Sequence, residues 1–522
     1  MNVKKYNQTA ASFWRSSLLP LSVFALLLPA LLFPSYGFAQ RKRPLLQPAS
    51  RNYFDGKIVL IPRDGRFQQL RMLAQIADQD LVLPPSRLLE PMPQAEPLIE
   101  WVAQLNLDGA SGLLVSLETL AAEATQETLP QRLQTLKPLR AKQPKLPIYG
   151  FAALDSSETS KQICQAGLEL VADGTLNYLL LAQAEDLSAK PAQIARARLI
   201  GEIASRKLED QVAFDDDPAA ASATLLARLI ARHYGQTPKI LPIYSSREGS
   251  QSTAGSDTSE LGQSVAAKVK LAGGAAPTNT ETAPGLDIAL FVHAPQTSAE
   301  GRLAFAKAVS QSIEKGLRVA VADLSENKTS KEALLSELRG QKHLDRLISY
   351  ASSNPADESP DGLDAGQTRE AVNRALAQAV IHFTAMKALR NDLDRIHRID
   401  RAQVTLLFSR YLEDWGYNLI VLPKLDEYVQ KQLKTVPDKL GQQVEAAEKF
   451  AFAQLQPIAD ELFEEQFRRN SHAILLNNGE RAQFRISLLQ RLLVRLDSQK
   501  TSKPEIKQSI HTFYEGNLQP TK

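Results

Sequence analysis

Residues 57–67 read KIVLIPRDGRF. Four apolar residues in a row, from Ile58 to Ile61, stop at Pro62 and give way to Arg63, Asp64, Gly65 and Arg66. A run that is apolar at every position, not at alternate ones, is how a strand buried on both faces reads, and such strands belong to parallel sheets. The charged residues then stand at the carboxyl end of the strand, where open α/β sheets bind their ligands.

The same grammar recurs downstream. Strands are expected at residues 58–61, 81–83, 112–117, 146–153, 177–182, 211–214, 239–244, 286–293, 317–322 and 344–350. Between them the apolar spacing is helical; Phe67, Leu70, Leu73, Ala74 and Ala77, for example, fall on one face. Strict alternation of strand and helix implies parallel sheets with right-handed crossovers. From residue 369 the strand signal stops, and 369–397, 401–415, 436–469 and 484–496 carry helical periodicity. The expected fold is α/β, with doubly wound parallel sheets in two lobes (57–235 and 236–368) and an α-helical C-terminal region, 369–522. A single barrel is the alternative, and ten strands exceed its eight. A long Ser/Gly-rich loop, 245–285, interrupts the second lobe and carries one helix at 261–271.

The N-terminus reads as a secretory signal. Lys4, Lys5 and Arg15 precede an apolar stretch at 18–33, and Gly37-Phe38-Ala39 places small residues where cleavage before Gln40 needs them. The stretch is short for the roughly 20 residues of a spanning helix and holds Pro20 and Pro29, so a membrane partner is expected only if it stays uncleaved. Residues 40–56 read as a flexible basic lead-in. The expected location is periplasmic or extracellular, with an N-terminal membrane anchor as the alternative.

The formal charge of +3 comes from this leader. Residues 1–39 hold three basic side chains and no acid, so the remainder has 58 of each sign. Charge balance and only 6% aromatic residues argue against a nucleic-acid partner. One cysteine, Cys164, excludes an intramolecular disulfide and a multi-thiolate metal site, and its helical context reads as packing. Walker A, GxGxxG, GxSxG and HExxH patterns are absent, so no cofactor and no metal site is assigned.

What remains is polar groups at strand ends. Asp64, Glu118 and Asp216 are the candidates for acid/base roles, and Arg66, His293, Asp323, Asn327 and Asn354 for binding a small polar ligand. Each also has a plain reading, since an Asp after a strand caps the next helix or forms a turn, and a strand-end His is often hydrogen-bonded structure. A further cluster, Arg410 to Tyr417, places Tyr411 and Trp415 on one helical face, as for a helix docking on the α/β body.

In order along the chain, these residues resemble a bacterial family known as "domain of unknown function 4127". Residues 61–66, IPRDGR, resemble its opening IPLDDRP, and Leu83-Pro84-Pro85 with Leu88-Leu89 its LPPxxLLG. Residues 116–120, SLETL, resemble its SLDML, and 238–246 its PxIxxxYSS passage. Residues 291–295 are similar to its vHtP, 319–327 to its VALADLAxxNG, 350–354 to its YAGWN and 410–417 to its RFLDDWxYQ. The resemblance covers about residues 57–420 and implies a fold and a set of site positions, but no reaction. The chain departs from the pattern where Gly65 replaces an acid, Glu118 an aspartate, Ala153-Leu154 an arginine-bearing pair, Ser352-Ser353 a Gly-Trp and Pro355 a threonine. Losing polar groups while keeping apolar strands implies a retained fold with altered chemistry. Three readings stay open: a ligand-binding or catalytically weakened protein with a cleft between the lobes, a secreted hydrolase of a polar, glycan-like substrate, and an envelope protein that binds a partner.

Overall fold

The computed structural model describes residues 56–467, apart from 64–66, 90–94, 123, 184–189, 219, 247–250, 252–260, 278–284, 296, 326–328, 354–366 and 436–442. The signal-peptide and lead-in assignments, and the helix expected at 484–496, lie outside the described residues. Ten strands alternate with helices: β1 (Gly56–Ile61), α1 (Phe67–Ile76), β2 (Gln79–Val82), α2 (Ala95–Ala103), β3 (Ala110–Ser116), α3 (Leu117–Leu120), α4 (Leu129–Leu133), α5 (Leu136–Lys142), β4 (Ile148–Leu154), α6 (Glu158–Ala172), β5 (Tyr178–Gln183), α7 (Lys190–Arg206), β6 (Val212–Asp215) and α8 (Ala221–His233). The series continues with β7 (Ile240–Tyr244), α9 (Leu261–Leu271), β8 (Ile288–His293), α10 (Ala299–Glu314), β9 (Val319–Asp323), α11 (Leu334–Gly340), β10 (Ser349–Ser352), α12 (Gln367–Ala388), α13 (Leu393–Tyr411), α14 (Leu422–Lys431) and α15 (Val444–Leu462).

The strands form two open parallel sheets, not a barrel: six strands in the order β2-β1-β3-β4-β5-β6, and four in the order β10-β9-β8-β7. The larger sheet is doubly wound, its strand order reversing between β1 and β3, whereas the smaller runs in sequence order from β7 to β10 without a reversal; both are buried on two faces. On the first sheet Ile58, Leu60, Leu114, Tyr149 and Leu180 enter one core, while Val59, Ile61, Leu113, Val115 and Leu179 enter another, under α2 to α7. On the second sheet Ile288, Leu290, Val292, Ala320 and Ala322 join the same core as Ile58 and Leu60. Phe291, Val319, Val321 and Tyr350 face a third core with α10, α11 and the last helices.

The two sheets therefore share a middle layer, made of α1, α8, α9 and α12. Its sequence shows why. α12 carries Ala371, Ala375, Ala377, Ala379 and Ala385 around its circumference, all buried. Its polar Asn373, Gln378 and Thr384 are buried as well, so the helix is enclosed on every side. Close packing is also written at Gly112 of β3, where an added Cβ would meet Leu229 of α8 at 2.6 Å.

Two expected elements come out differently. The helix expected at 129–140 is broken into α4 and α5, where Thr135 Oγ1 donates to the Arg132 carbonyl at 2.5 Å, a local bond that competes with the helical ladder. The strand expected from 344 begins only at Ser349, because Leu344–Arg346 close a 3₁₀ turn first. Beyond α13 the helical path continues as a π-helix, Leu412–Val421, which buries Trp415 and Tyr417. Tyr411 donates to the Leu344 carbonyl at 2.9 Å and Trp415 Nε1 to Ser336 Oγ at 2.9 Å, so this cluster docks on the second sheet's outer layer.

Candidate functional site

The carboxyl edge of the four-stranded sheet brings polar residues into one row. His293 pairs with Asp323, and Asp323 with Ser352, in the strand register. Ser245 follows Tyr244, whose partner is Val292, and its amide donates to the Val292 carbonyl at 3.1 Å. Because side chains alternate along a strand, residues aligned across the register share a face. Ser245, His293, Asp323 and Ser352 thus end four adjacent strands on the side that α10 covers. β8 and β9 run apolar until this last position, so the pattern that buries them also delivers His293 and Asp323 to the edge.

Within the row His293 is oriented. Its Nδ1 lies 2.7 Å from Asp323 Oδ1, and the same carboxylate oxygen accepts from the Ser325 amide at 3.1 Å and the Ser325 hydroxyl at 2.6 Å. The Asp323 carbonyl accepts from the Ser353 amide at 2.8 Å, which fixes the strand end. The His293 ring packs against Phe305 of α10, with centroids 5.4 Å apart. A carboxylate accepts only, so Nδ1 carries a proton and, in a neutral ring, Nε2 presents a lone pair. That Nε2 is buried and has no hydrogen-bond partner among the described residues. A buried polar atom without a partner costs roughly 1–3 kcal/mol, and in a native protein such an atom calls for an explanation.

Glu118 stands on the first sheet, in the opening turn of α3. Its carboxylate accepts from the Ala153 amide at the end of β4 and from Ser116 Oγ at 3.1 Å. Ser116 Oγ also caps α3 through the Thr119 amide at 3.2 Å. Thr119 Oγ1 donates to the Pro62 carbonyl at 2.7 Å, which ties the end of the KIVLIP strand to this turn. Glu118 is thereby bonded to the scaffold on both oxygens.

Asp216 lies elsewhere. It follows β6 at the sheet's far edge, within a buried cluster. Lys268 of α9 reaches Asp215 Oδ1 at 2.7 Å and also contacts Asp216 Oδ1. Asn373 Nδ2 of α12 donates to Asp215 Oδ2 at 3.0 Å and to Asp217 Oδ2 at 3.4 Å. Asp217 further accepts from the Ala220 amide at 3.1 Å, ahead of α8. Burial raises the Asp215 carboxyl; Lys268 pulls it down and Asp216 pushes it up again, and it settles at about 6. Burial also raises Asp217, with Glu370 and Asp215 adding to it, to about 7. Burial works against the Lys268 charge, but the three aspartates outweigh it and raise its pKa above the ordinary lysine value.

The structure therefore brings His293 and Asp323 together and keeps Glu118 and Asp216 apart. The Glu118 carboxylate is bonded at the end of β4 and Asp216 follows β6, so β5 stands between them, and two strand spacings of about 4.8 Å make roughly 10 Å. Carboxyl pairs that share hydrolytic chemistry stand about 5–9.5 Å apart. Asp64, Arg66, Asn327 and Asn354 lie outside the described residues. Among the described residues, no group of three or more His, Cys, Asp or Glu side chains is arranged to hold a metal ion. Reasoning from the sequence missed Lys268 and Asn373. A signal was there: Lys268 shares the helical face of Leu261 and Val265, and a lysine on an apolar face needs a buried partner.

The model of the family described as "Protein of unknown function (DUF4127)" matches residues 58–162 and 154–488. The chain belongs to that family. No curated protein and no solved structure matches it.

Proposed function

We propose that this DUF4127 protein binds a small polar ligand at the carboxyl edge of its four-stranded sheet, with His293 Nε2 as the group that meets it. The observation behind this reading is an oriented imidazole whose other nitrogen is buried with no partner among the described residues. An O–H or N–H donor on the ligand satisfies that nitrogen, with Ser245 beside it on β7 and Ser352 on β10 beyond Asp323 along the same edge. Strand carboxyl ends are where parallel sheets put their ligands.

Binding is favoured over turnover for two reasons. Gly65 stands where the family pattern has an acid. Glu118 and Asp216, the described members of the acid/base trio, are occupied by the Ala153 amide and by Lys268. α12 itself, enclosed between the sheets, offers no surface to a partner.

The test is a thermal-shift screen of sugars, sugar phosphates and amino acids on the full chain and on His293→Asn. A ligand present at about 100 times its Kd stabilises by about 2.7 kcal/mol, and the variant is expected to lose most of that shift. A compound that stabilises both proteins equally would place the site elsewhere.

Export belongs to the same reading, on the leader at residues 1–39. The mature protein is expected to begin at Gln40, which N-terminal sequencing of the native product reads directly. A native product that retains Met1 would remove the cleavable signal.

A further inference from the structure

Gln183 closes β5 at the carboxyl edge of the larger sheet, and the site proposed above does not use it. We infer that its carboxamide anchors a second small-molecule site, one that takes a planar amide: a carboxamide or lactam edge that donates one hydrogen bond and accepts another.

The strand places the side chain. Leu179 and Leu181 enter the core under α2 to α7, and Gln183, two residues further on, continues that face. Its register partner is Leu154, which ends β4 and enters the same core. Phe214 of β6, the partner of Leu181, lies one pair back and is only half-buried. His293 instead packs on Phe305 of α10, beyond the shared middle layer, so the two sites are separate.

Unmet bonding is what points to a ligand. Gln183 is 6% exposed, and both Nε2 and Oε1 are buried with no partner among the described residues. Since neither end is bonded, exchanging the amide's nitrogen and oxygen changes nothing. The polar groups beside it are engaged elsewhere. Glu118 takes the Ala153 amide, and Ser160 Oγ donates to the Ala153 carbonyl at 2.8 Å. The Asp155 amide donates to Ser160 Oγ at 3.0 Å, and Asp155 Oδ1 accepts from the Ser157 amide at 2.7 Å. On the other side Lys268 holds Asp216. A buried carboxamide with both ends unmet works against folding, whereas an apolar side chain of the same shape does not. A fold keeps such a cost where function needs it, and strand carboxyl ends are where parallel sheets bind ligands.

Hydrogen-bond chemistry narrows the ligand. Oε1 accepts and Nε2 donates, side by side. A carboxylate only accepts and leaves Oε1 unmet; an ammonium only donates and leaves Nε2 unmet. An amide edge answers both. Paired hydroxyls of a sugar answer both as well, but the surroundings here are Leu154, Leu181 and Phe214. A polyol's other hydroxyls would be buried against them without partners. A flat ring carrying an amide rests its apolar body on those side chains instead.

Thermal shift and calorimetric titration of the full chain with benzamide and uracil test this. Methyl benzoate, which has no N–H to donate, and glucose are the controls. The two amides are expected to stabilise the wild type, and the controls to leave it unchanged. Gln183→Met keeps the length of the side chain and removes both polar ends. It is expected to melt at or above the wild-type temperature without ligand. Its affinity for benzamide is expected to fall by about tenfold or more, the worth of two hydrogen bonds. His293→Asn is expected to keep the amide shift in full, which separates this site from the one on β8. A Gln183→Met chain that melts well below the wild type, or does not fold, would mean that water already satisfies the carboxamide, and overturns the inference. So does a wild type that neither amide stabilises. Methyl benzoate or glucose acting as strongly as benzamide overturns the amide assignment, whatever the variant does.

Discussion

Cys164 lies on α6 with its sulfur 3.8 Å from the Ala153 carbonyl and is buried in the core beneath the first sheet. Burial pushes its thiol up to about 12, and the Glu118 charge adds to that. Only the thiolate reacts with alkylating agents, and an ordinary thiol titrates near 8.5. At about pH 8 the thiolate fraction in the folded protein is thus on the order of a thousandfold below that of a free cysteine. Iodoacetamide is expected to leave the native chain unlabelled and to take up one equivalent in denaturant, as mass spectrometry counts it. Stoichiometric labelling of the native protein at a free-cysteine rate would mean that α6 opens readily. At the same scale, His293 and Asp323 were legible as strand-end residues, but not as a pair. Partnership depends on which strands are neighbours, and nothing in LFVHAP or VADLS states that β8 lies beside β9.

At the scale of elements, the central strands were readable because a strand buried on both faces has no polar position to confuse it. Tyr178 to Ala182 is apolar throughout and is fully buried. The misread elements sit where a local bond overrides the pattern, as at Thr135, or where a turn precedes the ladder, as at Leu344. Harder to read was the role of α12. Its alanines and its polar residues, Asn373, Gln378 and Thr384, alternate too closely to mark one face, yet all are buried. The polar ones are bonded internally: Gln378 Nε2 donates to Gln403 Oε1 at 3.0 Å, and Thr384 Oγ1 to the Val380 carbonyl at 2.7 Å. Asn373 faces the β6 carboxylates instead. A helix whose Asn, Gln and Thr side chains bond within the protein can be enclosed on every side, and sequence periodicity does not display those partners.

For the whole molecule, the consequence is that the C-terminal helices are structural members of the α/β body. α13 is held to the larger sheet's side by Asp78, fully buried, which accepts from Arg395 Nε at 2.6 Å and Arg398 Nε at 2.7 Å. It is held to the smaller sheet by Gln403 Nε2, which donates to the Ile348 carbonyl at 2.6 Å, and by Arg410 Nη1, which donates to the Tyr350 carbonyl at 2.9 Å. Between the sheets, Val372, Leu376, Val380, Ile381 and Phe383 of α12 lie within the shared core. Burying five such side chains contributes about 1.5–3 kcal/mol each, or about 7–15 kcal/mol together. That equals the entire net stability of an ordinary domain, about 5–15 kcal/mol. A chain ending at residue 366 loses this layer and exposes the inner faces of both sheets. It is expected to show no cooperative thermal transition and to bind a hydrophobic dye, whereas the full chain is expected to melt cooperatively and to bind little dye. A truncated chain that melts sharply near the wild-type temperature would show that the two sheets can close on each other without α12, and the layered account of the core would fail.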